Sequence, residues 1–237
     1  MRWSILIKAL LAFLILGHSL FSAEKGDTLV CVHGFMGAPW NMHFLAKNLR
    51  RDGWDVVNWK YPSRDRTISE HGEQFLLKLI DLAERKPGQP IHFVTHSLGG
   101  LVLLSALNHP SCPQEAKIGK VVLIAPPIKG SSWGRWVGQF SLARWLAKDF
   151  SGHELMTQLN FDDLGNFPDS LEHILVIAGS LGINPLLPKG NDGTLAIHET
   201  FLSTPHEHVV VKRGHKTIVF SKKVCGLILQ FFEKEKI

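Results

Sequence analysis

Ile91-His92-Phe93-Val94-Thr95-His96-Ser97-Leu98-Gly99 decides the fold of this chain. The run from Ile91 to Val94 has the length and apolar character of a buried strand, and residues 100–108 read as a helix. Ser97 therefore falls at the tip of a tight strand-turn-helix bend, which presents its hydroxyl outward instead of packing it into a sheet. Such a bend strains the serine backbone. The residues flanking it at two-residue spacing, Thr95 and Gly99, must leave room for adjacent backbone, and Thr95 stands where glycine is more usual.

The same alternation repeats on either side. Apolar runs predict strands over 29–32, 55–59, 91–94, 121–124, 174–178 and 209–211, with helical-period segments between them. In one such segment Phe75, Leu76, Leu79, Ile80 and Ala83 recur on one face, and Thr67-Ile68-Ser69-Glu70 offers a capping box just upstream. Near-continuous apolar strands joined by amphipathic helices indicate an α/β fold, a mostly parallel sheet of about six strands with helices on both faces. No internal repeat or low-complexity tract interrupts it.

One segment breaks the rhythm. Residues 130–167 carry no strand signal, yet hold Trp133, Trp136, Val137, Phe140, Trp145, Leu146 and Phe150 interleaved with Arg135, Arg144 and Lys148. This reads as a helical insertion between two core strands. Its aromatics either pack an extra helical pair onto the core or form a cap whose apolar face meets acyl chains or a membrane interface, and the two roles are compatible. On the cap reading, Trp133, Trp136 and Phe140 are substrate-binding candidates.

Length and composition bound the rest. A chain of 237 residues with 45% hydrophobic content suits one domain, expected over 24–237, with a core large enough to need no metal or disulfide staple. A basic head over 1–8, an apolar run over 9–17 and Ser22-Ala23 read as a secretory leader over 1–23, or as a retained amino-terminal anchor. Either implies export, to the periplasm or outside the cell, or attachment at the membrane. The formal charge of +5 loses two cations with such a leader. That mild balance, without a Lys/Arg block, excludes nucleic acid as a partner and is compatible with an anionic membrane surface. Cys31, Cys112 and Cys225 are too few and too scattered for a disulfide framework or a metal site. No cofactor and no metal is expected.

A serine hydroxyl is a poor nucleophile at neutral pH, so Ser97 needs a base and a third group to orient that base. The histidines downstream are His109, His153, His173, His198, His206, His208 and His215. His215, in Lys212-Arg213-Gly214-His215-Lys216, lies just past the last strand on a loop that can swing onto Ser97, and is the candidate base. The acid should lie after the fifth strand. Asp192, in Asn191-Asp192-Gly193-Thr194, is the candidate, with Asp162, Asp163, Asp169, Glu199 and Glu207 as lesser ones; whether Glu199 or Glu207 can replace it the sequence leaves open. An acyl-transfer site also needs donors for a developing oxyanion, and the amides of Phe35, in His33-Gly34-Phe35-Met36-Gly37, and Leu98 are placed for that. His33 has a structural role in that loop, and the Phe35 and Met36 side chains are candidates for lining an acyl pocket.

These pieces, with Ala125-Pro126-Pro127-Ile128-Lys129-Gly130-Ser131, run in order over residues 28–232, and together the chain resembles an α/β-hydrolase of the bacterial lipase/esterase type. The resemblance implies a serine-ester hydrolase with Ser97 as nucleophile, Asp192 as acid, His215 as base and the Phe35 and Leu98 amides as oxyanion hole. It also implies a compact sheet without the family's first two strands. The substrate expected is a small-molecule or lipid acyl ester. Transfer of the acyl group to another acceptor, thioester or amide cleavage, and a non-catalytic binding protein on the same fold are the alternatives.

Overall fold

Every strand predicted from an apolar run is present and neighbours others in a single sheet. The structure, a computed structural model, describes residues 26–147 and 150–233; the leader or anchor expected over 1–23 lies outside the described residues. The strands are β1 (Thr28–Val32), β2 (Asp55–Trp59), β3 (Ile91–His96), β4 (Val121–Ile124), β5 (Ile174–Gly179) and β6 (Glu207–Val211). Their order is β2-β1-β3-β4-β5-β6, and each adjacent pair is parallel. The described α-helices are α1 (Pro39–Arg51), α2 (Ile68–Arg85), α3 (Leu98–Leu107), α4 (Ser132–Val137), α5 (Ser141–Ala147), α6 (Ser151–Thr157) and α7 (Lys222–Glu233).

Strand residues alternate between two apolar layers. Val30 and Val32, with Phe93, Val121 and Leu123, meet α2 and α3 on one face. Leu29 and Cys31, with Val94, Val122 and Ile124, meet α1 and α7 on the other. Burial on both faces explains why the strands read as unbroken apolar runs. The capping box that opens α2 forms as expected: Glu70 N–H donates to Thr67 Oγ1 at 3.2 Å, and Thr67 N–H to Glu70 Oε2 at 2.8 Å. All three cysteines are free and buried, and burial pushes the thiols of Cys31 and Cys112 up to about 12 and about 11.

In a parallel sheet every strand ends at the same edge, so the loops that follow β1, β3, β5 and β6 converge there. That edge receives Phe35, Ser97, Asp192 and His215. The insertion after β4 folds over it as α4, α5, α6 and a short turn of 3₁₀-helix, Asp162–Leu164. Two ties hold this cap. At one end Ser151 N–H donates to Arg66 O and Ser151 Oγ to Ser63 O, both at 2.8 Å, while Ile68 N–H donates to Glu154 Oε2 at 2.7 Å. Glu154 thus places a carboxylate at the amino terminus of α2, where the helix dipole favours it. At the other end Ser132 N–H donates to Glu199 Oε1 at 2.6 Å.

Candidate active site

Ser97 leaves β3 with φ 51° and ψ −123°, a left-handed backbone for a residue that carries a Cβ. The neighbouring structure forces this bend. A methyl group on Gly99 would come within 2.7 Å of Val32 O, and one on Gly34 within 2.9 Å of Ser97 Cβ, so the first loop and the bend touch only because both lack side chains. Thr95 fits at the position where glycine is more usual. Its side chain is fully buried, its hydroxyl has no hydrogen-bond partner among the described residues, and it faces the bare Gly100.

His215 Nε2 lies 3.0 Å from Ser97 Oγ, and His215 Nδ1 lies 2.7 Å from Asp192 Oδ2. The other Asp192 oxygen, Oδ1, accepts from Thr194 N–H at 2.9 Å and Leu195 N–H at 2.7 Å. The long loop after β5 brings Asp192 back by pairing Gly182 N–H with Asn191 O at 2.7 Å and Asp192 N–H with Leu195 O at 2.9 Å. Backbone joins the two loops as well, through His215 N–H to Asp192 O at 2.8 Å. Burial opposes the Asp192 charge, but the His215 hydrogen bond and charge and the two backbone N–H groups outweigh it, and the carboxyl titrates below its ordinary range. A carboxylate held ionised fixes the imidazole with its proton on Nδ1 and leaves Nε2 free to accept from the serine.

Phe35 and Met36 are the central residues of a turn closed by Gly37 N–H to Gly34 O at 3.0 Å, with Met36 at φ 54°. Leu98 is the first residue of α3, so its N–H has no acceptor within the helix. His33, as expected, supports this loop: its Nδ1 lies 3.0 Å from Gly34 O, its ring stacks on Tyr61 with centroids 4.4 Å apart, and Tyr61 Oη–H donates to His33 O at 2.8 Å. Burial lowers the His33 pKa.

Among the described residues, the side-chain hydrogen bonds of Ser97 and of the His215 ring run only to each other and to Asp192. Both oxygens of the buried Glu199 are taken, Oε1 by Ser132 N–H and Oε2 by Ala196 N–H at 2.8 Å. Glu207 is exposed at the start of β6. It is Asp192, and neither of these, that meets the imidazole at Nδ1. His206 bonds Thr204 O, and His208 bonds Thr200 Oγ1 and stacks on Phe201.

Above the serine lies a cavity of about 460 Å³. Phe35, Met36 and Trp40 line one side, Trp133, Val137, Leu155 and Met156 of the cap another, and Leu195, Val219 and Phe220 a third, with Ser97, His96 and His215 among the polar groups. Its lining contains no Asp or Glu. Of the three cap aromatics proposed as substrate contacts, Trp133 alone lines the cavity. Trp136 stacks on Trp133 at 4.9 Å and Phe140 meets Trp136 edge-on at 5.0 Å, so these two lead outward from the cavity rather than into it. Among the described residues no three His, Cys, Asp or Glu side chains group so as to hold a metal ion, and no helix is long and apolar enough to cross a membrane.

One residue of the bend escaped the sequence reading. His96 Nε2 lies 2.9 Å from the carbonyl oxygen of His215, and since a carbonyl only accepts, Nε2 carries the proton. Burial, reinforced by the neighbouring His215, pushes the His96 pKa down to about 3, so its ring is neutral across the physiological range. Nothing in Thr95-His96-Ser97 signals a partner 119 residues away.

Residues 29–220 match the family model for the alpha/beta hydrolase family, and the chain belongs to that family. Among solved structures it is similar to the mature form of a lipase from Bacillus licheniformis, BlEst2, with 19% identity and a TM-score of 0.68 over 89% of this chain and 94% of that one. A metagenomic carboxyl esterase, MGS0156, is similar at 18% identity and TM-score 0.67 over 90% of this chain and 77% of that one. Phospholipase PlaB from Legionella pneumophila is similar at 12% identity and TM-score 0.63, over 89% of this chain and 60% of that longer one. No curated protein matches.

Proposed function

We propose that the chain is a serine hydrolase of carboxylic esters, acting on lipid or other acyl esters through an acyl-enzyme on Ser97. The observation that carries this reading is the unbroken hydrogen-bonded line from Asp192 through His215 to Ser97, at 2.7 and 3.0 Å, on the floor of a mainly apolar cavity. Ser97 Oγ attacks the ester carbonyl as its proton passes to His215 Nε2, and the carbonyl electron pair moves onto oxygen, which the Phe35 and Leu98 amides receive. The intermediate then collapses, the bond to the alcohol oxygen breaks, and His215 returns the proton to that oxygen. Water repeats the sequence on the acyl-enzyme and frees the acid. The cavity volume lies within the span of small-ligand sites, roughly 300–1,000 Å³, and suits an acyl chain. The similar structures named above are a lipase, a carboxyl esterase and a phospholipase, and an ester is the substrate those names share.

A fluorophosphonate probe tests the nucleophile. It should label the native protein and not Ser97→Ala, and absence of labelling on folded native protein would sink the reading. A series of p-nitrophenyl esters of increasing acyl length then sizes the pocket, and product analysis with added alcohol or amine separates hydrolysis from transfer. Faster formation of the transfer product than of free acid would move the assignment to an acyltransferase.

A further inference from the structure

We propose that the rim of this cavity docks on an anionic phospholipid surface, with α4 and α5 as the immersed edge. Met36, Trp40 and Phe220 line the cavity yet are 69%, 66% and 44% exposed, so its mouth is ringed by bare apolar side chains. From Trp133 in the lining, the rings stack through Trp136 to Phe140, the residue before α5, and on α5 Leu142 and Trp145 are 66% and 74% exposed. Single exposed apolar residues are ordinary, but a tract that starts inside a ligand cavity and runs onto the surface marks an interaction site. Tryptophans suit an apolar–aqueous boundary because one end of the ring system is wet.

Charge selects the occupant. Residues 34–47, 130–147 and 212–223, which include the exposed apolar residues of the rim, hold eight Lys and Arg and no Asp or Glu, although the chain as a whole carries 26 basic and 21 acidic residues; α6, which also lines the cavity, adds one acid, Glu154, and it is engaged by Ile68 N–H. Apolar side chains set among cations match the surface of an anionic bilayer. They do not match a second copy of the same face, because a two-fold contact would oppose one set of cations to the other. The proposal rests on the ester-hydrolase reading for its purpose: a docked rim opens the cavity above Ser97 directly onto the acyl esters of the bilayer.

The test uses the full chain with one nitroxide label, at Trp145→Cys or at Leu77→Cys, an exposed site on α2 outside the rim. The native thiols are buried, which leaves the introduced one as the reactive site. With vesicles of phosphatidylcholine and phosphatidylglycerol, the label at 145 should become accessible to oxygen and shielded from an aqueous nickel chelate, while the label at 77 stays aqueous. Adding Arg144→Glu, or replacing the vesicles with pure phosphatidylcholine, should weaken binding by about tenfold. Equal aqueous access at both sites overturns the proposal, as does equal affinity for neutral vesicles. Shielding at 145 without vesicles also overturns it, pointing to a second copy if it depends on concentration and to residues 1–25 of the same chain if it does not. Hydrolysis of a water-soluble short-chain ester, measured on the same labelled proteins, should stay within about twofold of native because Trp145 is outside the catalytic cavity. An inactive native protein that still docks refutes the ester reading alone, and an active one that fails to dock refutes this proposal alone.

Discussion

Replacing His96 with leucine removes the only hydrogen bond from the bend to the His215 carbonyl while keeping an apolar side chain of similar bulk. His215 is held from two sides: its own N–H donates to Asp192 O at 2.8 Å, and its carbonyl accepts from His96 at 2.9 Å. Losing a buried partner of this kind costs about 1–3 kcal/mol. The Asp192 contacts persist in the variant, so the lower half of that range applies. If that cost falls on the arrangement in which Nε2 meets Ser97 Oγ, about 1.4 kcal/mol lowers the population of competent His215, and hence kcat, about tenfold. KM should hold within about twofold, because the apolar walls of the cavity are untouched. The assay is steady-state hydrolysis of a short p-nitrophenyl ester, with the rate of fluorophosphonate labelling measured in parallel. His96→Gln is the control: its amide can donate to the same carbonyl, and most of the lost kcat should return even if both variants melt at the same lowered temperature. A folded leucine variant with kcat within twofold of native, or a folded glutamine variant no better than leucine, refutes the positioning role.

Three further outcomes follow from the same contacts. Asp192→Ala should lower kcat by at least about a thousandfold, with no rescue from Glu199 or Glu207, and near-native rates in a folded variant would move the acid elsewhere. Glu199→Gln replaces one of two acceptors with a donor facing a backbone N–H, so it should destabilise the protein by about 1–3 kcal/mol in urea unfolding; an unchanged midpoint would show that Ser132 and Ala196 do not depend on the carboxylate. Stability should also fall on acidification. Burial pushes His96, and His71 buried on α2, down to about 3 and about 4, while a free histidine side chain in the unfolded chain titrates near its ordinary value of 6.5. The unfolded chain therefore binds protons first, and stability is lost as pH drops below about 6.5, by up to about 2 kcal/mol per histidine at pH 5. The depressed Asp192 carboxyl adds to the loss only further down, in the carboxylate range. Equal urea midpoints at pH 7 and pH 5 would contradict this.

The fold and the central line of the site are legible in the sequence because both are written in local pattern. Runs such as Val121–Ile124 are apolar throughout for a local reason, burial on both sheet faces. Ser97 and His215 sit in short turn-forming segments just after β3 and β6, Asp192 sits in a turn-forming segment on the long loop that follows β5, and parallel topology converts three such positions into neighbours. What escaped the sequence depends on distant partners. Glu154 reaches Ile68 across 86 residues and Glu199 reaches Ser132 across 67, and neither residue carries a local mark of its partner. The aromatic pattern of the insertion showed that Trp133, Trp136 and Phe140 belong together. It could not show which end of the stack enters the cavity, since helical spacing fixes a shared face and says nothing of where that face is anchored.

Ser97 is one of three described residues with a side chain, beside Met36 and Ala125, that the fold holds at positive φ, and of the three it alone carries the hydroxyl that meets His215. A side-chain-bearing residue at φ 51° costs on the order of 1–3 kcal/mol, and the ends of β3, β4 and α3 maintain it through contacts such as Ser97 N–H to Ile124 O at 2.9 Å. The serine is a loaded spring whose retaining frame is the middle of the sheet. Any partial loosening of that frame lets the bend relax to an ordinary backbone and carries Oγ away from His215 while most helices and strands persist. With Ser97 as the proposed nucleophile, ester hydrolysis should therefore be lost at a lower denaturant concentration than far-UV circular dichroism, and coincident transitions would contradict this.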